Sequence, residues 1–105
     1  MEEEIMTIIL NAGDARSKSL IALRSARKGD FEHAEKMLEQ AGKSMVLAHQ
    51  TQTTLIQKEI SGEKQEVSLL MVHAQDHLMT AMAIRDMVDE LVKFAKDLKG
   101  EKHGK

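Results

Sequence analysis

The sequence predicts an all-α fold of three antiparallel helices, and two observations carry that prediction. Proline, tyrosine and tryptophan are absent from the 105 residues and only two phenylalanines occur, so the usual strand formers are scarce beyond valine, isoleucine and threonine. Alanine, leucine, methionine, glutamate, lysine and glutamine dominate instead, and these residues lose little side-chain freedom in a helix. Glycine interrupts the apolar periodicity at Gly29 and Gly62, as glycine at the end of a helix does. The predicted helices cover roughly residues 3–28, 31–60 and 66–99.

The first predicted helix carries isoleucine, leucine and alanine at spacings of three and four, which is typical of a helix with one buried face. Gly13 interrupts this helix and costs stability relative to alanine. Two interpretations of Gly13 stay open: a tolerated kink or close helix contact, and an approach of the backbone to a ligand. At the following turn, Lys28 is favourable at the negative end of the first helix, and Asp30 can cap the second.

The second predicted helix has one apolar stripe with a spacing close to that of a heptad repeat. Its opposite face is charged, so we expect that face to contact solvent. Gln52 is the only polar member of the stripe. The stripe consists of Ala34, Leu38, Ala41, Met45, Ala48, Gln52 and Leu55.

The third predicted helix is apolar on more than one face between Val67 and Ile84, so it must be buried on nearly all sides. Two partner helices in one chain of 105 residues cannot cover it, whereas a symmetric oligomer with this helix near the axis can. The sequence therefore predicts an obligate oligomer. The last residues are charged and interrupted by glycine, so residues 1–99 are the predicted domain and residues 100–105 are expected to be disordered.

Charge and composition exclude several classes of function. There are 15 lysines and arginines against 17 aspartates and glutamates, with a net charge of −2, so nothing electrostatic indicates a nucleic acid or an anionic membrane as partner. Cysteine is absent, which excludes disulfides, thiolate zinc sites and cysteine nucleophiles. The acidic N-terminus is unlike a signal peptide, and no apolar stretch reaches the ~18 residues of a membrane span. We therefore expect a soluble, cytoplasmic protein.

Four polar side chains interrupt the most apolar helix: His73, Gln75, Asp76 and His77. Burying them without partners would cost several kcal/mol in total, on the order of 1–3 for each. At about 100° per residue, His77 projects about 40° from His73 on one side and Asp76 about 60° on the other, while Gln75 points nearly opposite. His73, Asp76 and His77 therefore share a face that Gln75 does not.

Three interpretations of the two histidines stay open at this point. A zinc site would need three or four ligands, but His33 and His49 are isolated on another helix and no cysteine is present. Structural histidines with satisfied hydrogen bonds are the common alternative. A nucleophile is the third, because a neutral imidazole is available near pH 7 and can take a phosphoryl group without a metal or a general base.

Asp76 lies in the middle of an apolar stripe. If that stripe lines a symmetry axis, copies of Asp76 meet there, and three carboxylates ~5 Å apart repel by roughly 3 kcal/mol per pair, or on the order of 10 in total. Protonation or a hard cation such as Mg²⁺ must then neutralise them. Alternatively, Asp76 reaches solvent or pairs with Arg85 or a lysine of a neighbouring helix. The stripe consists of Leu69, Val72, Asp76, Met79 and Ala83.

The segment from His73 to Thr80, with the sequence HAQDHLMT, resembles the active-site signature of the lactose/cellobiose (also diacetylchitobiose) enzyme IIA family of sugar phosphotransferase systems. Further stretches are similar to that family. They are residues 11–17, 28–31, 48–49, 52–53 and 61–63, so the resemblance covers roughly residues 5–98.

The resemblance implies a homotrimer of three-helix subunits with the third helices around the three-fold axis. It implies that His73 accepts a phosphoryl group from the histidine-containing phosphocarrier protein and passes it to a cysteine of enzyme IIB, which phosphorylates a β-linked disaccharide during uptake. Asp76 would bind a divalent ion, Mg²⁺, with one ion per trimer. His77 and Gln75 match residues that line the active site, and Gln75 would reach the phosphohistidine from an adjacent subunit.

A second function from another class is an interaction or scaffold protein. In that case the buried His, Gln and Asp side chains of a helical trimer would only specify its register, as polar core residues can in coiled coils. Phosphorylation by phosphoenolpyruvate, enzyme I and the phosphocarrier protein distinguishes the two functions.

Overall fold

The computed structural model describes residues 1–104, with side chains through residue 100, and it contains three helices. They are α1 (Glu2–Arg27), α2 (Phe31–Ile60) and α3 (Leu69–Gly104). No strand occurs within residues 1–104, so the predicted all-α, three-helix fold is confirmed. The bundle is elongated, with extents of 60 × 20 × 18 Å.

The helix order is antiparallel for neighbours in sequence. Lys58 near the end of α2 pairs with Glu4 near the start of α1 at 3.8 Å, and Lys96 near the end of α3 pairs with Glu35 near the start of α2. Consequently α1 and α3 run in the same direction. Of the three helices, α1 contacts both others extensively, whereas α2 and α3 contact each other less.

Both turns are built as the glycines predict. Gly29 and Gly62 have positive φ angles of 87° and 103°, a conformation that only glycine adopts without a steric cost. The Asp30 carboxylate accepts a hydrogen bond from the backbone N–H of His33 at 3.1 Å, so the predicted N-cap of the second helix is confirmed.

The third helix begins and ends later than the sequence predicts. The Ser68 hydroxyl accepts from the backbone N–H of Met71 at 3.1 Å, and this cap starts α3 at Leu69 instead of residue 66. At the other end the helical backbone continues beyond residue 99 to Gly104. The disorder expected for residues 100–105 stays a prediction, and Lys105 lies outside the described residues.

Alanine makes up much of the core, which lets the helix axes approach closely. One cluster surrounds Leu78, which is fully buried, at the end of the bundle that holds the polar residues of α3. The second lies at the other end, around Val88 and Val92 of α3. The core therefore fixes α3 along its length against α1 and α2.

One face of α3 is not covered by the chain's own helices, and we call it the exposed α3 face. Leu69 is 85 % exposed and Met87 62 % exposed, although large apolar side chains in helices of this length normally pack against a core. Within residues 1–104, no helix is both long enough and apolar enough to cross a bilayer. The exposed α3 face consists of Leu69, Val72, Asp76, Met79, Ala83, Met87 and Phe94.

Candidate functional site

The two histidines of α3 lie one turn apart and contact each other. Their rings are stacked, with centroids 5.7 Å apart and an interplanar angle of 11°. His73 is exposed and His77 is half-buried. His73 is therefore accessible to a partner protein, while His77 supports it from the side of the core.

The ring of His77 lies against α1 at Gly13. A Cβ atom built on Gly13 would stand only 3.2 Å from Nε2 of His77. Of the two interpretations of Gly13 that the sequence leaves open, the structure shows a close helix contact, and the group in contact is a histidine of the candidate site.

A bridge between α1 and α2 lies next to Gly13. The Ser44 hydroxyl donates to the Asp14 carboxylate at 2.5 Å, and the Lys18 ammonium lies 3.0 Å from the same carboxylate oxygen. The hydrogen bond from Ser44 and, to a smaller extent, that from Lys18 hold the pKa of Asp14 below its ordinary value. This bridge fixes α1 on α2 at the level of the site.

Gln75 lies on the other side of α3 from His73, as the helical geometry predicts. Its side-chain oxygen accepts a hydrogen bond from Nε2 of Gln52 on α2, and Gln52 is buried, with 9 % of its surface exposed. Within one chain the structure does not bring Gln75 to His73. The sequence predicts no functional role for Gln52, although its position in an apolar stripe is the signal that could have identified it.

Asp76 is exposed and lies on the exposed α3 face. It borders, with Gln75, an apolar groove of about 550 Å³ between the end of α2, residues 65–67 and the start of α3. The alternative that Asp76 pairs with Arg85 is not what the structure shows. Arg85 donates from Nη2 to the backbone carbonyl of Leu38 at 3.2 Å.

The described side chains of one chain do not form the metal-ligand set that either metal prediction requires. Among the described side chains, no group of three or more histidine, cysteine, aspartate or glutamate residues could hold a metal ion. His33 is engaged at the opposite end of the bundle, where Nδ1 lies 2.7 Å from the Ser25 hydroxyl. Asp76 alone supplies one carboxylate, whereas Mg²⁺ takes about six oxygen ligands. A cation at Asp76 would therefore need its other ligands from water or from further copies of the chain.

Comparison with known proteins identifies the family. Residues 3–96 match the family described as "PTS system, Lactose/Cellobiose specific IIA subunit". The chain is 49 % identical over 94 residues to the lichenan-specific phosphotransferase enzyme IIA component of Bacillus subtilis (strain 168), covering 90 % of this chain and 86 % of that one. It is 43 % identical over 99 residues to the N,N'-diacetylchitobiose-specific EIIA component of Escherichia coli (strain K12), covering 94 % and 85 %.

Comparison with solved structures identifies the same family. The cellobiose-specific enzyme IIA of Bacillus anthracis superimposes with a TM-score of 0.90 at 39 % identity, over 94 % of this chain and 91 % of that one. The IIA(chitobiose) protein of Escherichia coli, solved in complex with HPr, superimposes with a TM-score of 0.79 at 43 % identity, over 93 % and 95 %. The resemblance stated from residues 73–80 is therefore confirmed, and the chain belongs to the lactose/cellobiose-specific IIA family of the sugar phosphotransferase system.

Proposed function

We propose that this chain is a phosphoryl carrier that accepts a phosphoryl group on His73 from the histidine-containing phosphocarrier protein, HPr. The observation that carries the proposal is an exposed imidazole on a rigid helix, backed by a second, stacked imidazole. The Escherichia coli relative solved in complex with HPr supports the choice of donor.

The proposed relay consists of two displacements at phosphorus, the first by a histidine nitrogen and the second by a cysteine sulfur. A ring nitrogen of His73 attacks the phosphorus, the nitrogen–phosphorus bond of the donor histidine breaks, and its electron pair returns to the donor ring. In the next step a thiolate of enzyme IIB attacks the same phosphorus, and the electron pair returns to His73. Since the bonds formed and broken are similar, the protein's contribution is positioning and the stabilisation of charge.

His77 and Gln75 have supporting roles in the proposal. His77 is stacked on His73 at 5.7 Å, so its protonated form would place a positive charge beside the negatively charged phosphoryl group. Gln52 donates to the side-chain oxygen of Gln75. One N–H of Gln75 makes a long contact to Sδ of Met71 at 4.0 Å, so its second N–H would be the donor to phosphoryl oxygens. Because Gln75 lies away from His73 in its own chain, this donor would act on an adjacent subunit.

We propose a homotrimer around the exposed α3 face. The exposed large apolar residues recur along α3, from Leu69 through Met79 to Phe94, and soluble monomers rarely leave so long an apolar surface uncovered. Packing three such helices around an axis buries this face, and it brings the site of one subunit beside α3 of the next.

Asp76 is the proposed metal ligand. Its position at the centre of the exposed α3 face means that three copies would converge in the trimer, and one divalent ion, Mg²⁺, would neutralise them. The ion's role in this proposal is structural, since it holds the subunits together and lies on the axis while His73 takes the phosphoryl group.

Enzyme IIB is the proposed recipient, and a β-linked disaccharide is the proposed sugar. The relatives named for lichenan, N,N'-diacetylchitobiose and lactose support this class. A carrier that depends on phosphoenolpyruvate works where that compound is made, so the proposed location is the cytoplasm.

The test is phosphorylation of the chain by phosphoenolpyruvate, enzyme I and HPr. We expect one acid-labile phosphate per chain by mass spectrometry, and none in His73→Gln. His33→Gln is the matched control because His33 lies at the other end of the bundle, and it should accept phosphate as the wild type does. Phosphate retained in His73→Gln would refute the acceptor assignment. A wild type that takes no phosphate would favour the alternative, a non-catalytic helical trimer that acts as a scaffold.

A further inference from the structure

Gly13 lies in the interior of α1, a helix of 26 residues, where glycine is less stable than alanine. Its φ angle is not positive, so the backbone conformation does not require glycine there. The reason for glycine must therefore be sought in what surrounds the missing side chain.

The surroundings are specific. Outside Gly13's two chain neighbours and the nearby α1 backbone, the atom nearest to a Cβ built on Gly13 is Nε2 of His77, at 3.2 Å. No other atom of the described residues comes within 4 Å. A real Cβ at that distance would push the ring by a few tenths of an ångström. The ring of His77 therefore has two neighbours in the site, the backbone of Gly13 beside its Nε2 and the stacked ring of His73.

We propose that Gly13 is a positioning residue for phosphoryl transfer. Its missing side chain leaves space for the ring of His77, and because the two rings stack, the position of His77 determines the position of the His73 ring. The inference rests on the proposed role of His73 as acceptor. A shift of the His77 ring changes the surroundings of the reacting nitrogen of His73. When a reaction depends on precise positioning, displacements well below about 1 Å lower its rate.

The competing explanation is that Gly13 only allows α1 and α3 to pack. The two explanations differ in whether the effect of Gly13→Ala depends on the presence of the His77 imidazole. If Gly13 serves only helix packing, Gly13→Ala has the same effect whatever residue occupies position 77. If it seats the ring, the effect disappears once the ring is removed.

The first experiment measures the histidine ring signals of the full-length, unphosphorylated protein by NMR. In Gly13→Ala the ring signals of both His73 and His77 should shift. Gly42→Ala is the matched control, because a Cβ there would meet Nη2 of Arg85 at 2.8 Å, about 18 Å along α3 from His73. That variant should leave both ring signals unchanged. Unshifted rings in Gly13→Ala, or equal shifts in the control, would overturn the proposal.

The second experiment measures transfer from phosphorylated HPr to wild type, Gly13→Ala, His77→Ala and the double variant. Gly13→Ala should lower the transfer rate about 10-fold with unchanged affinity for HPr. In the His77→Ala background the same change should not lower the rate further, and it should raise Tm because alanine is the better helix former. If Gly13→Ala alone fails to fold, the double variant should fold, and failure of both would refute the proposal.

These outcomes are separable from failure of the proposed function. If the wild type accepts no phosphate on His73, the carrier assignment fails, while the ring signals still report whether Gly13 seats His77. If the wild type accepts phosphate at full rate and Gly13→Ala does too, only the positioning role of Gly13 fails.

Discussion

The hydrogen bond between Gln52 and Gln75 is the contact whose removal is most informative. Gln52 is buried on α2, and its Nε2 donates to the side-chain oxygen of Gln75. Replacing Gln52 by leucine keeps a side chain of similar length and removes the donor. The oxygen of Gln75, half-buried on α3, then loses its partner.

The magnitude follows from this geometry. A hydrogen bond between neutral groups contributes about 1 kcal/mol, and an unpaired, partly buried acceptor costs about 1–3 kcal/mol. Leucine also adds apolar contact, which offsets part of that cost in either single variant. The gain cancels in a double-mutant cycle, so Gln52→Leu/Gln75→Leu should be about 1–2 kcal/mol more stable than the sum of the single variants predicts. Unfolding in urea at one fixed protein concentration measures this, because oligomer stability depends on concentration.

The same substitution has a functional consequence. Without Gln52 the amide of Gln75 keeps only the long contact from its Nε2 to Sδ of Met71 at 4.0 Å, so we expect its orientation to be less well defined. Loss of one oriented donor worth about 1.4 kcal/mol lowers the transfer rate from HPr about tenfold. Gln50→Leu is the matched control, since Gln50 is exposed on the same helix. Two results together would refute the reasoning: additive effects of Gln52→Leu and Gln75→Leu on stability, and equal transfer rates in Gln52→Leu and Gln50→Leu.

Three further predictions follow from the charges of the site. Asp76→Leu should stay trimeric and should unfold at the same temperature with and without a chelator, whereas the unfolding temperature of the wild type should fall when divalent ions are removed. A monomeric Asp76→Leu together with a chelator-insensitive wild type would contradict the metal-bridged axis. Because the pKa of Asp14 is lowered in the folded state, its contribution is present above pH ~3.9 and lost as pH falls through the folded pKa; Ser44→Ala should therefore destabilise at pH 7, and its difference from wild type should shrink in acid unfolding. Binding to HPr should be micromolar or weaker and should weaken with added salt in calorimetry; a nanomolar, salt-insensitive complex would contradict a relay.

Much of the fold could be predicted because local signals determine it. Glycine is the residue that adopts the positive φ at Gly29 and Gly62, and Asp30 caps the second helix through its own first turn. The start of α3 was missed by three residues, since the cap is formed by Ser68, and a serine between apolar residues gives a weak signal. The faces of His73, Gln75 and Asp76 followed from the angle of 100° per residue.

Contacts between helices could not be predicted in the same way. Periodicity shows that Gln52 faces inward, but it does not show that Gln75, 23 residues further along the chain, lies opposite. Likewise, glycine within α1 is compatible with several causes, and only the packed structure shows that His77 fills the space beside Gly13. Both contacts depend on the relative shift and rotation of helices, which one sequence does not determine.

The location of His73 in a regular helix, away from any loop, has a consequence for the order of events in the proposed relay. The helix fixes the backbone of His73, so its ring can move only by rotation about its own side-chain bonds, and donor and recipient would both bring their reactive groups to the same place on α3. The two partners would then exclude each other, and each phosphoryl group would wait on the surface of the carrier while one protein leaves and the other arrives. The throughput of such a relay is limited by how quickly complexes separate, which favours weak binding on both sides.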